Sequence, residues 1–317
     1  MSPTIAPVLS VVGPVFDEAA GLETFHASLI QVLRGLGLSF EIIYVDDGSR
    51  DRSPELLREL RGRDPEVRTL TLSRNFGHQL AITAGLDHAR GAACIVMDTD
   101  GQDPPGIIPE LLAAWRQGYE VVYAVRSSRQ GEGWFKKLSA GLFYRLLRRM
   151  TRVDIPLDAG DFRLLDRKAL DVLRDLRETH RFMRGLTCWV GFRQTKVMYA
   201  RKPRLAGDTH YPLWEMARFA LDGITSFSHE PLRWVTACGA ASFLLSLALG
   251  CWALYVRFYN PQAVRGWTSL IVVVLLLGGL QLIGLGVVGE YLARIFDEVK
   301  RRPLYVVRAA EGFDPDG

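Results

Sequence analysis

The chain has 317 residues, 23% of them charged and 48% hydrophobic, with a formal net charge of +4. This length suits one large α/β domain with an appendage, and the charge content excludes a chain that is only a membrane bundle. So small a positive surplus gives no reason to expect a nucleic-acid partner. The four cysteines, Cys94, Cys188, Cys238 and Cys251, show no C-x-x-C spacing, which argues against a disulfide framework or zinc site and fits a reducing compartment. No basic segment followed by a short apolar run opens the chain, so no cleaved signal peptide is expected.

Residues 9–12 form a short apolar run ended by Gly13-Pro14, the pattern of a buried strand and a turn. Residues 22–36 carry apolar side chains at helical spacing. Residues 41–45 (EIIYV) read as a β-branched strand, broken by Asp46, Asp47, Gly48 and Ser49. Ser53 then stands as a helix cap, with Pro54 at the first helical position. A third strand covers 67–72, and a helix starts at Asn75 or Phe76 and runs towards Arg90. A fourth strand covers 93–97 and stops at Asp98-Thr99-Asp100. Residues 105–117 read as helix and 120–125 as a fifth strand. The alternation predicts a mostly parallel sheet with helices on both faces. Ligands of such sheets sit at the carboxyl ends of the strands, and both acidic pairs fall directly after strands, on that edge.

The composition changes near Pro231. Two uncharged stretches follow, 234–256 and 267–289, each of 23 residues. As helices each would be about 34 Å long, enough for a hydrocarbon core of about 30 Å. Trp234, Trp252, Tyr255, Tyr259 and Trp267 cluster near their ends, as an aromatic belt does. The connection 257–266 holds two basic residues, whereas the opposite flanks hold seven: Arg218, Arg233, Arg294, Lys300, Arg301, Arg302 and Arg308. That asymmetry puts the N-terminal domain and the C-terminal tail in the cytoplasm, with the chain a multi-pass protein of the cytoplasmic membrane. The expected organisation is a catalytic domain over 1–212, an interfacial amphipathic helix over 213–233, two transmembrane helices over 234–289 and a cytoplasmic tail over 290–317.

Asp98-Thr99-Asp100-Gly101-Gln102 is the sharpest local signal. Two carboxylates one residue apart beyond a strand end can reach one hard cation, Mg2+ or Mn2+, which prefers oxygen ligands and often bridges a carboxylate to substrate phosphates. The amide oxygen of Gln102 is the candidate third ligand. Neither the G-x-x-x-x-G-K-[ST] phosphate loop nor G-x-G-x-x-G after the first strand is present, which disfavours P-loop and dinucleotide chemistry. Histidines His26, His78, His88, His180 and His229 show no metal-ligand spacing and read as surface or structural residues. Glu230-Pro231-Leu232-Arg233-Trp234 lacks the Gln of the Q-x-x-R-W box of processive synthases.

The runs VVGPVFDEAAGL, EIIYVDDGSRDRS, LSRNFGHQLAITAGLDHARG, MDTDGQDPP, GYEVVYAVR, AGDFRLLDR, RFMRGL, FALDGITSFS and GEYLARIFDEVKRRPLY together resemble the inverting family 2 (GT-A) glycosyltransferases. Among these the chain is similar to the bacterial polyisoprenyl-phosphate glycosyltransferases, undecaprenyl-phosphate glucosyltransferase-like relatives of dolichol-phosphate mannose synthase. The resemblance implies roles at matched positions. Pro14, Phe16, Glu18 and Asp46 would hold the nucleobase and ribose, and Asp98, Asp100 and Gln102 the metal and diphosphate. Arg126, Arg204 and His210 would contact phosphate, and Asp161 would lie near the reacting centre. The sequence departs from the family pattern at Phe16, where Tyr is usual, at Asp17, where Asn is usual, and at His210, where a Lys is usual.

The expected reaction is inverting transfer of a hexose, first glucose from UDP-glucose, to the phosphate of a polyprenyl carrier. The acceptor is already an anion, so Asp161 reads first as a positioning group for a donor hydroxyl or the metal shell, with a base as the alternative. A basic amphipathic helix over 134–150, with Lys136 and Lys137 as acceptor-phosphate candidates, suits an anionic lipid headgroup. Transfer of mannose, galactose or aminoarabinose, a non-polyprenyl lipid acceptor, and an inactive membrane scaffold are the rival readings. A homo-oligomer is left open.

Overall fold

The computed structural model describes residues 7–126, 159–199, 230–259 and 267–313. The chain divides into two units, one of residues 1–220 with 303–317 and one of residues 221–302.

The first unit is built on an eight-stranded sheet of order β7-β5-β6-β4-β1-β2-β3-β8. Its strands are β1 (Leu9–Val15), β2 (Phe40–Asp46), β3 (Val67–Leu72), β4 (Ala93–Val96), β5 (Val121–Arg126), β6 (Ala159–Asp166), β7 (Gln194–Tyr199) and β8 (Val307–Glu311). Helices α1 (Leu22–Gly35), α2 (Ser53–Arg63), α3 (His78–His88), α4 (Ile108–Arg116), α5 (Arg167–Asp175) and α6 (Met183–Trp189) accompany them. The near-continuous apolar runs of β1, β2 and β4 are buried on both faces, as strands of a covered sheet must be. On one face the alternate residues Leu9, Val11, Ile42, Tyr44 and Ile95 join Leu22, Leu29 and Leu33 of α1, Leu57 of α2 and Leu111 of α4 in a single core. On the other, α3 lies against β1 and β2. A Cβ on Gly85 of α3 would stand 2.3 Å from Val12 Cγ1, so only glycine allows this approach.

The expected helices on both faces are present, and the sheet is mostly parallel as expected, with β6 and β8 as its two antiparallel strands. β6 runs antiparallel between β4 and β5, and β8 runs antiparallel to β3. The helix expected from Asn75 or Phe76 starts at His78, because Gly77 takes φ +101° and the Phe76 and Gly77 amides are given to Asp47. Ser53 is not the cap of α2. It is the first helical residue, and its hydroxyl accepts the Glu18 N–H at 3.0 Å. Nor is the C-terminal segment a free tail. β8 completes the sheet, Val306 O accepts the Ser73 N–H at 2.9 Å, and Tyr305 Oη donates to Asp87 Oδ2 at 2.7 Å.

The second unit contains two long helices, α7 (Glu230–Tyr259) and α8 (Trp267–Lys300), which pack on each other. Residues 230–233, expected within an interfacial helix, begin α7; the rest of that helix, and the basic helix over 134–150, lie outside the described residues. Among the described residues one stretch, Leu276–Lys300, is long and apolar enough to cross a membrane, and the apolar part of α7, Trp234–Leu249, is shorter. Two membrane spans are therefore more than these residues establish.

Replacing Gly85 by Ala should force α3 away from β1 and lower unfolding stability by about 1–3 kcal/mol. A thermal unfolding midpoint in detergent equal to that of the unaltered chain would contradict the close packing described.

Candidate active site

The carboxyl edge of the sheet is assembled from four loops that fasten one another. After β1, Asp17 takes φ +54°, a left-handed conformation that Asp and Asn tolerate best among side-chain-bearing residues. Its Oδ1 accepts the Arg50 N–H at 2.7 Å, while Ser49 Oγ accepts the Asp17 N–H at 3.1 Å and Asp51 Oδ2 the Ala19 N–H at 2.9 Å. The β1 and β2 loops are thus zipped together around Phe16, Glu18 and Asp46. Phe16 is exposed, and Asp46 is buried with Oδ1 accepting the Ser49 N–H at 2.9 Å. Pro14 O accepts the Thr99 hydroxyl at 2.8 Å, which pins the β4 loop to β1. A Cβ at Gly13 would collide with Thr99 Cγ2 at 2.9 Å.

Thr99 is therefore the hinge pin between Asp98 and Asp100. Asp100 Oδ1 accepts the Gln102 N–H at 3.0 Å across Gly101, whose φ of +75° closes the turn, and the Gln102 side chain is buried. Asp98 is less comfortable. Its Oδ1 is buried and, among the described residues, accepts no hydrogen bond; His78 Nε2 stands 3.4 Å away. Burial lifts the Asp98 carboxyl to about 6; His78 pulls it down, while Asp161, Asp103 and Asp100 push it up.

Asp161 comes to the same place by register. β4 and β6 pair Val96 with Arg163, so two more antiparallel steps bring Asp98 opposite Asp161. Its carboxylate is gripped from several sides. Arg184 donates from Nε to Oδ1 and from a terminal nitrogen to Oδ2, both at 3.2 Å, Arg163 donates to Oδ1 at 3.2 Å, and Gln79 donates to Oδ2 at 3.4 Å. His78 Nε2 lies 3.4 Å from Oδ2. Burial pushes the Asp161 carboxyl up, but His78, Arg184 and Arg163 outweigh it and hold it far below the usual carboxylate range. Burial pushes the His78 imidazole down, and its two carboxylate neighbours outweigh that and raise it.

The structure thus gathers Pro14, Phe16, Glu18, Asp46, Asp98, Asp100, Gln102 and Asp161 on one edge. Arg126 ends β5 on the same edge, since β5 runs parallel to β4 across the antiparallel β6. Lys136, Lys137, Arg204 and His210 lie outside the described residues. The sequence reading of His78 as a surface or structural residue holds for its exposure, 45% for the side chain, but leaves out that Nε2 faces both site carboxylates. Arg163 and Arg184 lie within the runs AGDFRLLDR and RFMRGL, and nothing in their spacing says that they converge on Asp161. His78 carried a usable signal, since it follows a glycine between a strand end and a helix start. His26, by contrast, is structural, buried between Tyr44 Oη at 2.9 Å and Asp64 Oδ2 at 3.0 Å.

The model of the glycosyl transferase family 2 matches residues 10–174, just over half of the chain. The chain belongs to glycosyltransferase family 2. The uncharacterized glycosyltransferase YkcC of Bacillus subtilis is 48% identical over 305 residues, covering 96% of this chain and 94% of that protein. The prophage bactoprenol glucosyl transferase homolog of Escherichia coli is 39% identical over 300 residues, covering 95% and 98%. The SfII prophage-derived bactoprenol glucosyl transferase of Shigella flexneri is 39% identical over 307 residues, covering 97% and 99%. The sheet and helices described above are accordingly a GT-A-like fold of this family.

The loop that carries His78 hangs on Asp47, which is buried and accepts the Phe76 N–H at 2.7 Å and the Gly77 N–H at 2.8 Å. Asp47→Ala should cost about 1–3 kcal/mol. Hydrogen exchange read by mass spectrometry should show the Phe76 and Gly77 amides exchanging at least about tenfold faster. Unchanged exchange there would mean that the loop is held by something other than Asp47.

Proposed function

We propose that the protein transfers glucose, with inversion, from a nucleotide-sugar to the phosphate of undecaprenyl phosphate or a similar polyprenyl phosphate, at the cytoplasmic face of a membrane. The observation that carries this is near-full-length similarity, 39% over 95% of the chain, to proteins named for glucosyl transfer to bactoprenol. UDP-glucose is the donor of choice by resemblance to the family. Phe16, Pro14, Glu18 and Asp46 take the nucleoside in the zipped β1–β2 loops, and Arg126 with Arg204 and His210 take the diphosphate. Lys136 and Lys137 meet the acceptor phosphate.

A divalent cation fits the residues present. Among the described residues Asp98 Oδ1 is a buried acceptor without a hydrogen bond, and burial, with neighbouring carboxylates adding to it, makes its ionised form costly, a cost that a cation relieves. Among the described residues no three or more His, Cys, Asp or Glu side chains form a complete metal cage. One or two carboxylates completed by substrate phosphates is, however, the usual arrangement for Mg2+ in phosphate chemistry. Asp98, Asp100 and Gln102 would hold Mg2+ or Mn2+, which when bound would stabilise charge on the departing nucleoside diphosphate.

The protein's own groups do the rest by position. Asp161, ionised and held by two arginines, is a poor proton acceptor at neutral pH, and an acceptor phosphate that is already anionic needs none. Asp161 therefore orients the donor sugar and its own arginines beside the anomeric carbon. Attack by the phosphate oxygen forms the new glycosidic bond as the bond to the diphosphate breaks on the opposite face.

The two long helices are proposed as a membrane hairpin. Described residues on both expose large apolar side chains, among them Leu244, Leu245, Trp252, Leu276, Leu282 and Leu285. β8, beyond α8, pairs with β3, which puts the two ends of the hairpin on one side of any membrane that it crosses.

Purified protein with UDP-glucose and undecaprenyl phosphate should form a lipid-extractable glucosyl product. Chelator should abolish its formation, and Asp100→Asn should lower it by about a hundredfold or more with the thermal midpoint retained. Turnover undiminished in excess chelator would refute the cation. Product only with UDP-galactose, GDP-mannose or an aminopentose donor, or only with diacylglycerol, would reassign the substrate.

In a chain whose four cysteines are replaced, a single new cysteine within 257–266 should react with an impermeant maleimide added to intact cells. Reaction only after permeabilisation would overturn the proposed topology.

A further inference from the structure

The two carboxylates at the centre of the site are fixed to very different degrees. Asp161 is clamped by Arg163, Arg184 and Gln79. Asp98 Oδ1 is buried and accepts no hydrogen bond among the described residues. One side chain faces both: His78 Nε2 is 3.4 Å from Asp98 Oδ1 and 3.4 Å from Asp161 Oδ2.

The mount of His78 is rigid. It opens α3 directly after Gly77, whose N–H is held by Asp47, and α3 is seated against Val12 at Gly85. The next residue, Gln79, reaches Asp161 through its amide nitrogen, and its amide oxygen accepts the Met183 N–H at 3.1 Å. The first turn of α3 is thereby tied both to Asp161 and to the helix that carries Arg184.

At 3.4 Å the imidazole is beyond the distance of a good N–H···O bond, so it attracts Asp98 without occupying a lone pair. A direct hydrogen bond would satisfy Oδ1 and compete with a metal. No neighbour at all would leave that oxygen free to rotate away.

We propose that His78 is the positioning residue of the cation site, tethering Asp98 Oδ1 to the clamped Asp161 so that the oxygen is aimed before a divalent cation binds. This rests on the reading that Asp98 and Asp100 hold that cation. The role is distinct from catalysis, since His78 acts through Asp98 rather than on the reacting atoms.

The test is Mn2+ binding to the full-length protein in detergent, without nucleotide, followed by electron paramagnetic resonance of the free ion. His78→Ala should weaken Mn2+ binding about 10- to 100-fold, the usual effect of losing a group that orients a metal ligand. Its thermal midpoint should stay close to that of the unaltered chain. His78→Gln, whose amide N–H extends to a similar point, should recover most of the affinity. Should alanine unfold the chain, His78→Asn carries the test: its shorter amide cannot span the two carboxylates and should lose affinity.

Equal Mn2+ affinity in His78→Ala, or in the Asn variant where that replaces it, would overturn the proposal. So would loss in His78→Gln as deep as in alanine, or a defect confined to KM for the nucleotide-sugar, which would make His78 a donor contact. Absence of Mn2+ binding by the unaltered chain, or equal binding by Asp98→Asn, would instead bring down the cation reading, and this proposal with it.

Discussion

The antiparallel placement of β6 between β4 and β5 is the constraint on which the site depends. In a wholly parallel sheet each carboxyl-edge residue follows its strand, and neighbouring loops must reach towards one another. Here β6 begins at that edge, so Asp161 sits at a strand start, opposite Asp98, fixed by ladder register rather than loop conformation. The cost is a buried anion. Arg163, itself buried, offsets it from the same strand, and Arg184 offsets it from α6. Removing either arginine would leave that buried charge with fewer partners, a larger penalty than losing an exposed pair. This grip also fixes the chemistry available to Asp161: it can hold and orient, but a carboxyl that stays ionised so far down the pH scale has little tendency to take a proton.

α3 joins this clamp to the rest of the edge. Its first turn serves the site through His78 and Gln79, while its last turns are pinned by arginines of α5. Arg174 donates to Leu86 O at 2.7 Å, and Arg167 donates to Ala89 O at 3.0 Å. Cations at a helix C-terminus satisfy the unpaired carbonyls and oppose the helix dipole. Between these ends Gly85 lets the helix lie on β1 closely enough that the first turn cannot drift. Glycine lowers helix propensity, so its presence in mid-helix is understandable only through this packing.

Most of the layout was legible in the sequence, for reasons that can be named. Apolar runs in β1 to β5 and acidic residues immediately after β2 and β4 are local signals, and they locate the sheet and its carboxyl edge. Misread features depended on non-local contacts. The start of α3 is decided by Asp47, some thirty residues earlier in the chain, taking two amides that a helix would otherwise use. Ser53 looked like a cap because Ser before Pro usually is one, yet its hydroxyl serves the β1 loop. His78, Arg163 and Arg184 acquire their place only when β6 folds antiparallel onto β4, which no periodicity announces.

The C-terminal strand is the least expected part and limits the membrane arrangement most. β3 would otherwise be an open edge, with a row of unpaired backbone groups inviting aggregation, and β8 covers it. Tyr305 and Arg177, both bonded to Asp87, fasten the segment that leads into β8. The two long helices are therefore an insertion within the sheet domain, not an appendage after it. If residues 221–302 crossed a bilayer once, β8 would be on the far side from β3 and the pairing could not form. An even number of crossings is the only arrangement that keeps the ladder, and with two long helices that number is two or none.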